Sequence, residues 1–470
     1  MNQITNNRYR QNYHIIPPTG WMNDPNGLCF FKGYYHVFFQ YHPYSSEWGP
    51  MHWGHVRSTD LIHWEECPIA LTPGDNEDKD GCFSGSALVK DDKLYLIYTG
   101  HHYKKNTNKE QYWQNQNIAF SDDGIHFEKY ENNPIISSAP TDNAADFRDP
   151  KIWCENGKWF IVLGSQNKSG LGRVLLYSSD NLFEWEYKGV LSQSKHPETE
   201  GYMWECPDFF ELDGHRVLLI SPQGIIPNNG MFKNVYQTGY MIGDEQNGIF
   251  TRGNFIELDS GHDFYATQTM KTDDGRRIMF AWMDMWENKM PEQSDGWAGT
   301  MTIPRELKLV NNKLYSCPIE ELKTLRSDLL LSKSEFINEI AFSSKEHQLE
   351  IEAKMNWDRA SSISLEMKDD NGSDIIAVLF DAKDRKVILH RTGPDADRQT
   401  VIDQSEELSI RAYVDTSSFE LFINNGEATF SERFYSESDL HFHLRAQQRT
   451  WCDMNVYKLG NNSSRTIIYK

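Results

Sequence analysis

Five stretches before residue 300 repeat one pattern, and that repetition constrains the fold more than any other feature of the chain. Each is an apolar or alternating run, a tight turn built on Gly or Asp, and a second run ending near an aromatic. The first three are Leu28–Phe39, Ala87–Tyr98 and Lys151–Val162, and the fourth and fifth turn at Asp213-Gly214 and Asp274-Gly275. Such turns between apolar runs signal β-hairpins. The turns at 33, 92, 157, 214 and 275 lie 59, 65, 57 and 61 residues apart. A second element recurs between them, as Ser58–Trp64, Ser121–Phe127 and Ser178-Ser179-Asp180 before Trp185. Two hairpins per period of about 60 give four strands per unit, and five units give a five-bladed β-propeller. An open sheet or a sandwich with accidental spacing is the competing reading.

The repeat stops after Ile303-Pro304-Arg305-Glu306. A short connector follows, and alternating runs return at Gln348–Ala353 and Phe419–Ile423, with turns at Asn371-Gly372 and Asn425-Gly426. The expected architecture is all-β: a five-bladed propeller over 1–318, a linker over 319–334 and a β-sandwich over 335–470.

Composition narrows the partners. A formal net charge of −21 argues against nucleic acid or an anionic membrane surface. No stretch is apolar enough to span a bilayer as a helix. The seven cysteines form no CxxC pair and read as reduced thiols. With a polar N-terminus lacking a signal-peptide pattern, this gives a cytoplasmic expectation; a mature chain whose leader has been removed is the competing reading. No phosphate-cradling glycine loop or clustered ligand spacing calls for a cofactor.

Comparing equivalent positions in the repeats locates the chemistry. Asp24 lies nine residues before its turn, Asp149 eight and Glu205 nine, with Ser84 eight before the second turn. In a propeller the inner strand opens each blade, so the three acids would converge on one funnel. Singly, each has a bland explanation: an Asx turn for Asp24, a local ion pair for Arg148-Asp149, and a solvated strand end for Glu205. Together they need a reason, because each raises the cost of ionising the others. Glycoside hydrolysis supplies one, with a carboxylate at the anomeric carbon and a carboxylic acid at the leaving oxygen. A calcium site is the other chemical reading of three hard ligands.

The runs around these residues, Trp21–Gly27, Trp48–His55, Phe83–Ala87, Phe147–Pro150 and Trp204–Asp208, resemble in order and spacing those of glycoside hydrolase family 32, the invertases, sucrose-6-phosphate hydrolases and fructanases. The resemblance runs through both domains. It implies a retaining β-fructofuranosidase that takes a small sugar (sucrose, sucrose 6-phosphate or a short fructo-oligosaccharide) and needs no metal. Asp24 would be the nucleophile, Glu205 the general acid and then base, and Asp149, beside Arg148, the transition-state stabiliser. Asn23, Gln40, Trp48, Phe83, Ser84, Arg148 and Trp282 match positions that line the fructose pocket. His42, His262, Thr267 and Ile303 depart from the family pattern and leave the leaving-group preference open. A fructosyltransferase of the same family, a pentoside-cleaving propeller and a non-catalytic sugar-binding propeller are the alternatives.

If the inner strand starts at the active face, the loops after each second strand surround the leaving group. They are 44–51, 101–113, 166–173 and 221–237. The second carries His101, His102, Lys104, Lys105 and Lys109, a basic cluster in an acidic chain, and part of it is expected to meet a phosphate on the glucose unit.

Overall fold

The computed structural model describes residues 3–107, 109, 111–246, 249–357, 362–393, 395–403 and 405–460; the first two and last ten positions of the expected domains lie outside them. The repeats fold into five antiparallel sheets in chain order, a five-bladed propeller. Their inner strands are Gly20–Phe31, Gly81–Lys90, Asn143–Glu155, Met203–Leu212 and Tyr265–Lys271. In blades I to IV both central turn residues have positive φ, for example Asn156 at 52° with Gly157 at 76°. That is the turn whose twist matches its flanking strands. Between the third and fourth strands of blades I to III, a side chain caps the bend: Asp60, Asp123 and, in the third, Asn181 rather than its neighbour Asp180.

The ring closes where blade V meets blade I. The connection inside blade V sends Trp297–Ala298 to pair in parallel with Gly20 and Trp21 at the start of blade I. Apolar clusters fill the spaces between blades, such as Leu88, Ile97, Ile152 and Ile161 between II and III.

The second unit is a sandwich whose layers are joined through two long bent strands, Arg326–Ser344 and Leu440–Leu459. Residues 441–446 pair with Ser362–Lys368 in one layer, and residues 452–458 with Leu349–Asn356 in the other. Alternate side chains enclose an apolar core that includes Ile351, Leu365, Phe380 and Met454. The stretch 319–334 holds a short 3-10 turn, Glu320–Leu325, and the first half of the strand Arg326–Ser344.

The face between the two units is buried and mixed: Tyr413 and Phe422 of the sandwich join an apolar cluster with Ile303 and Ile319, and buried ion pairs lie beside it. Arg305, fully buried, bonds Asp259 of the propeller at 2.9 Å and Glu420 of the sandwich at 2.5 Å. His14 bridges Asp415 and Glu420, and His262 bonds Glu432. Two departures from the family pattern sit here: His262, and Ile303, whose N–H donates to Glu420. No helix among the described residues is long and apolar enough to cross a membrane.

Candidate active site

One irregularity recurs in all five inner strands. At Asn23-Asp24, Ser84, Asp149-Pro150, Cys206-Pro207 and Ala266-Thr267 the inner strand carries one residue more than its partner. Such a bulge bends the strand and re-aims a side chain. Asp149, Cys206 and Ala266 take positive φ there, at 62°, 48° and 56°. For non-glycine residues that is a strained conformation which the surrounding structure must hold. The fivefold bulge is the local device that turns carboxylates from neighbouring blades toward one another.

Asp24 is anchored through both oxygens. Asn23 Nδ2 donates to Oδ1 at 2.9 Å, and Ser84 Oγ donates to Oδ2 at 2.6 Å. Asn23 is itself fixed by Trp21 Nε1 at 2.8 Å. Burial raises the Asp24 carboxyl, the donors from Ser84 and Asn23 oppose this, and the nearby Glu205 charge adds to it. Asp149 is almost fully buried and accepts from the Cys206 N–H at 3.0 Å. Burial pushes it up to about 7, with Arg148 opposing and the charges of Glu205 and Asp24 contributing. The carboxyl raised into the neutral range is therefore that of Asp149, next to the strained turn.

Glu205 accepts from four donors on three residues besides its own strand. Arg148 Nε and Nη2 reach Oε1 at 3.0 and 2.8 Å, Gln223 Nε2 reaches Oε2 at 2.7 Å, and the Tyr265 hydroxyl donates to Oε2. Arg148 also pairs with Asp146, which accepts from the Tyr112 hydroxyl at 2.6 Å. Burial alone would raise Asp146, and Arg148 more than offsets it.

The remaining candidates form the walls. Gln40 is buried and donates to the Cys82 carbonyl at 3.0 Å, tying blade I to blade II. Phe83 stacks face to face on His101, with centroids 4.2 Å apart, and meets the edge-on ring of the half-exposed Trp48 at 6.1 Å. Trp282 is fully buried behind Trp21 and Trp286, at 5.8 and 5.0 Å between centroids. The expected basic cluster is only partly basic. Burial lowers His101 to about 3 and also lowers His102, so both rings are neutral aromatic surfaces.

Cys206 escaped the reading of the sequence. Its Sγ lies 3.6 Å from Asp24 and 3.7 Å from Asp149. Burial and the surrounding carboxylates raise the thiol far above its usual value, so it stays protonated. Together these three residues bring two oxygens and a sulfur within 4.8 Å of one another. A buried neutral thiol does not suit calcium, which takes hard oxygen ligands. Tyr265 and Gln223 were missed as well. Tyr265 did have a signal, since it lies ten residues before the fifth turn, beside the position its blade aligns with the acids.

Comparison with known proteins agrees with this architecture. Residues 14–318 match the glycosyl hydrolases family 32 N-terminal domain and residues 319–458 its C-terminal domain. The chain is 41% identical over 444 residues to a sucrose-6-phosphate hydrolase of Escherichia coli, covering 92% of this chain and 91% of that one. It is also 41% identical over 434 residues to a raffinose invertase of Escherichia coli, covering 91% and 90%. A solved Bombyx mori GH32 beta-fructofuranosidase superposes with a TM-score of 0.88 at 42% identity, over 97% of this chain and 95% of that one. A sucrose-6-phosphate hydrolase from Lactobacillus gasseri does so with a TM-score of 0.87 at 29% identity, over 97% and 94%. Fold, paired domains and relatives over nine-tenths of its length agree: the chain belongs to glycoside hydrolase family 32 and is a glycoside hydrolase.

Proposed function

We propose that this enzyme is a retaining β-fructofuranosidase that hydrolyses sucrose or its 6-phosphate, with Asp24 as nucleophile. The observation that carries the reading is the state of Asp24. It is a buried carboxylate, aimed by a bulge and held at both oxygens by Asn23 and Ser84. Its position is thereby fixed for attack, which lowers the entropic barrier.

In the first step an Asp24 oxygen bonds to C2 of the fructosyl unit as the C2–O bond to glucose breaks, and Glu205 gives its proton to that oxygen. In the second step Glu205 takes a proton from water, the hydroxide oxygen bonds to C2, and Asp24 departs as carboxylate. A ketose C2 carries two carbon substituents, which stabilise its cationic transition state. Asp149 and Arg148 hold the fructose hydroxyls. Burial raises the Asp149 carboxyl, and fructose hydroxyls that donate to it favour its ionised form. Asn23, Gln40, Trp48, Phe83, Ser84 and Trp282 shape the fructose pocket, directly or from behind.

The names of the relatives support this substrate class, as does a sucrose complex of the Bombyx mori enzyme. Hydrolysis is the default over transfer to a second sugar. We further propose the propeller over 1–318 as the catalytic unit, joined through 319–334 to a supporting sandwich over 335–470. Seven free thiols, five of them buried, fit a reducing cytoplasm.

The test is release of fructose from sucrose, with the product followed by NMR. β-Fructofuranose as the first product, abolished by Asp24→Ala, is the expected result. First formation of the α-anomer, or release that survives Asp24→Ala, would overturn the mechanism.

A further inference from the structure

We infer that a groove on the rim between blades II and III is a binding subsite for a phosphate monoester on the hexose that leaves. This rests on the function proposed above. The groove encloses about 410 Å³. Two lysines line it, Lys104 from the loop of blade II and Lys168 from that of blade III, together with Trp113 and Asn143. No carboxylate is among the described residues that line it. In a chain of net charge −21 that is a local reversal of sign, and it selects for an anion. The cleft of about 530 Å³ between the two domains is mixed instead, with Asp263, Asp284, Glu287, Asp369 and Asp374 alongside Lys289, Arg391 and Arg433 in its lining.

Of the neighbouring acids, Asp146 is held by Arg148 and Tyr112. Asp142 is exposed and bonds two guanidinium nitrogens of Arg173 at 2.6 and 2.9 Å, its principal partner, with the Lys168 charge also acting on it. Lys168 spends one donor on the Thr141 carbonyl at 2.7 Å, which leaves an ammonium two more. Trp113 is 43% exposed, and its indole lies flat on the neutral His102 at 3.9 Å and 7°, giving a rigid face for sugar C–H groups.

Position joins the groove to the reaction. Tyr112, also in its lining, bonds Asp146, which pairs with Arg148, which grips Glu205. Glu205 protonates the oxygen between the two sugars, so the departing hexose lies on this side of the funnel. A phosphate on that hexose then reaches Lys104 and Lys168 while its ring lies toward Trp113. The basic surface is narrower than the sequence implied. The two histidines are uncharged, and Lys105 is absent from the lining.

The experiment compares kcat/KM for sucrose 6-phosphate, sucrose and raffinose in the full-length protein and in Lys104→Ala, Lys168→Ala and the double variant. Thermal unfolding checks that each variant is folded. The expected result is a ratio of phosphorylated to plain sucrose that falls roughly tenfold per lysine, the size of one lost charge-assisted contact. An unchanged ratio in the folded double variant overturns the subsite, and so does raffinose cleaved in preference to the phosphate ester. Calorimetric binding of glucose 6-phosphate against glucose reads the same groove without catalysis. A preference for the phosphate that the double variant loses supports the subsite even if no fructoside is cleaved, in which case only the catalytic reading fails. Equal binding of the two sugars overturns the subsite.

Discussion

Arg148 donates twice to a single oxygen of Glu205, from Nε at 3.0 Å and from Nη2 at 2.8 Å. Its Nη1 holds Asp146, and its Nε stands 4.0 Å from Asp149. One guanidinium from blade III thus serves three carboxylates on two blades, and its geometry is a fork that an ammonium cannot reproduce. Arg148→Ala removes the charge that opposes the rise of the Asp149 carboxyl. The acid limb of the kcat/KM profile is expected to move to higher pH, with kcat down by about 100-fold or more. Arg148→Lys should keep the limb near its wild-type position yet lose most of kcat. Two variants with identical profiles would show that charge and geometry are not separable here.

Asp149 carries a cost that its function retains. Its carboxyl is pushed up to about 7, chiefly by burial, from an ordinary value near 4. The native protein therefore binds more protons than the unfolded chain between about pH 4 and 7, and stability falls as pH rises through that window. Asp149→Asn keeps the shape and removes the titration. It should melt above wild type at pH 8, with the gain shrinking toward pH 4, while hydrolysis is nearly lost. Melting curves at the two pH values test the sign, and a pH-independent difference would refute the account.

Tyr265 and Gln223 hold the other oxygen of Glu205. Tyr265→Phe removes a donor that aims this carboxylate and should lower kcat several-fold more than it changes KM. Gln223 stays to limit the loss of orientation. A KM effect alone would make Tyr265 a wall of the pocket rather than a positioning residue.

The fold was legible because the turns are. Four of the five hairpins use two consecutive positive-φ residues, and the residues that tolerate this (Asp, Asn, Gly) stand out at intervals near 60. Asp24, Asp149 and Glu205 were legible for the same reason, since position in a repeat places a side chain in the ring. Cys206 was not, because a thiol between two prominent acids carries no spacing signal until the bulge turns it inward. Charge was harder still to read. His101 and His102 look basic in sequence, and only their burial, beneath Phe83 and Trp113, reveals them as neutral. The ion pairs between domains were invisible, because residues such as Arg305 and Glu420 are far apart in the chain.

Arg305 makes the last prediction, about what joins propeller to sandwich. It is fully buried and bonds Asp259 at 2.9 Å, Glu420 at 2.5 Å and Ser431 at 2.6 Å. Burial would raise Glu420, but Arg305 and then His14 more than offset it, so its carboxyl sits below the ordinary value. A depressed acid contributes stability above its unfolded-state value and loses it as pH falls through the folded one. Arg305→Ala strands two buried carboxylates and should cost about 3–5 kcal/mol at pH 7. The cost should shrink toward pH 4, where protonation relieves the stranded charges. Adding Asp259→Asn and Glu420→Gln to Arg305→Met should recover much of the loss by removing the charges together. Denaturant midpoints at the two pH values decide the matter. A loss of equal size at both would mean that Arg305 acts by packing against Phe264 and Phe422, over whose rings its guanidinium lies at 5.1 and 4.8 Å, rather than by charge.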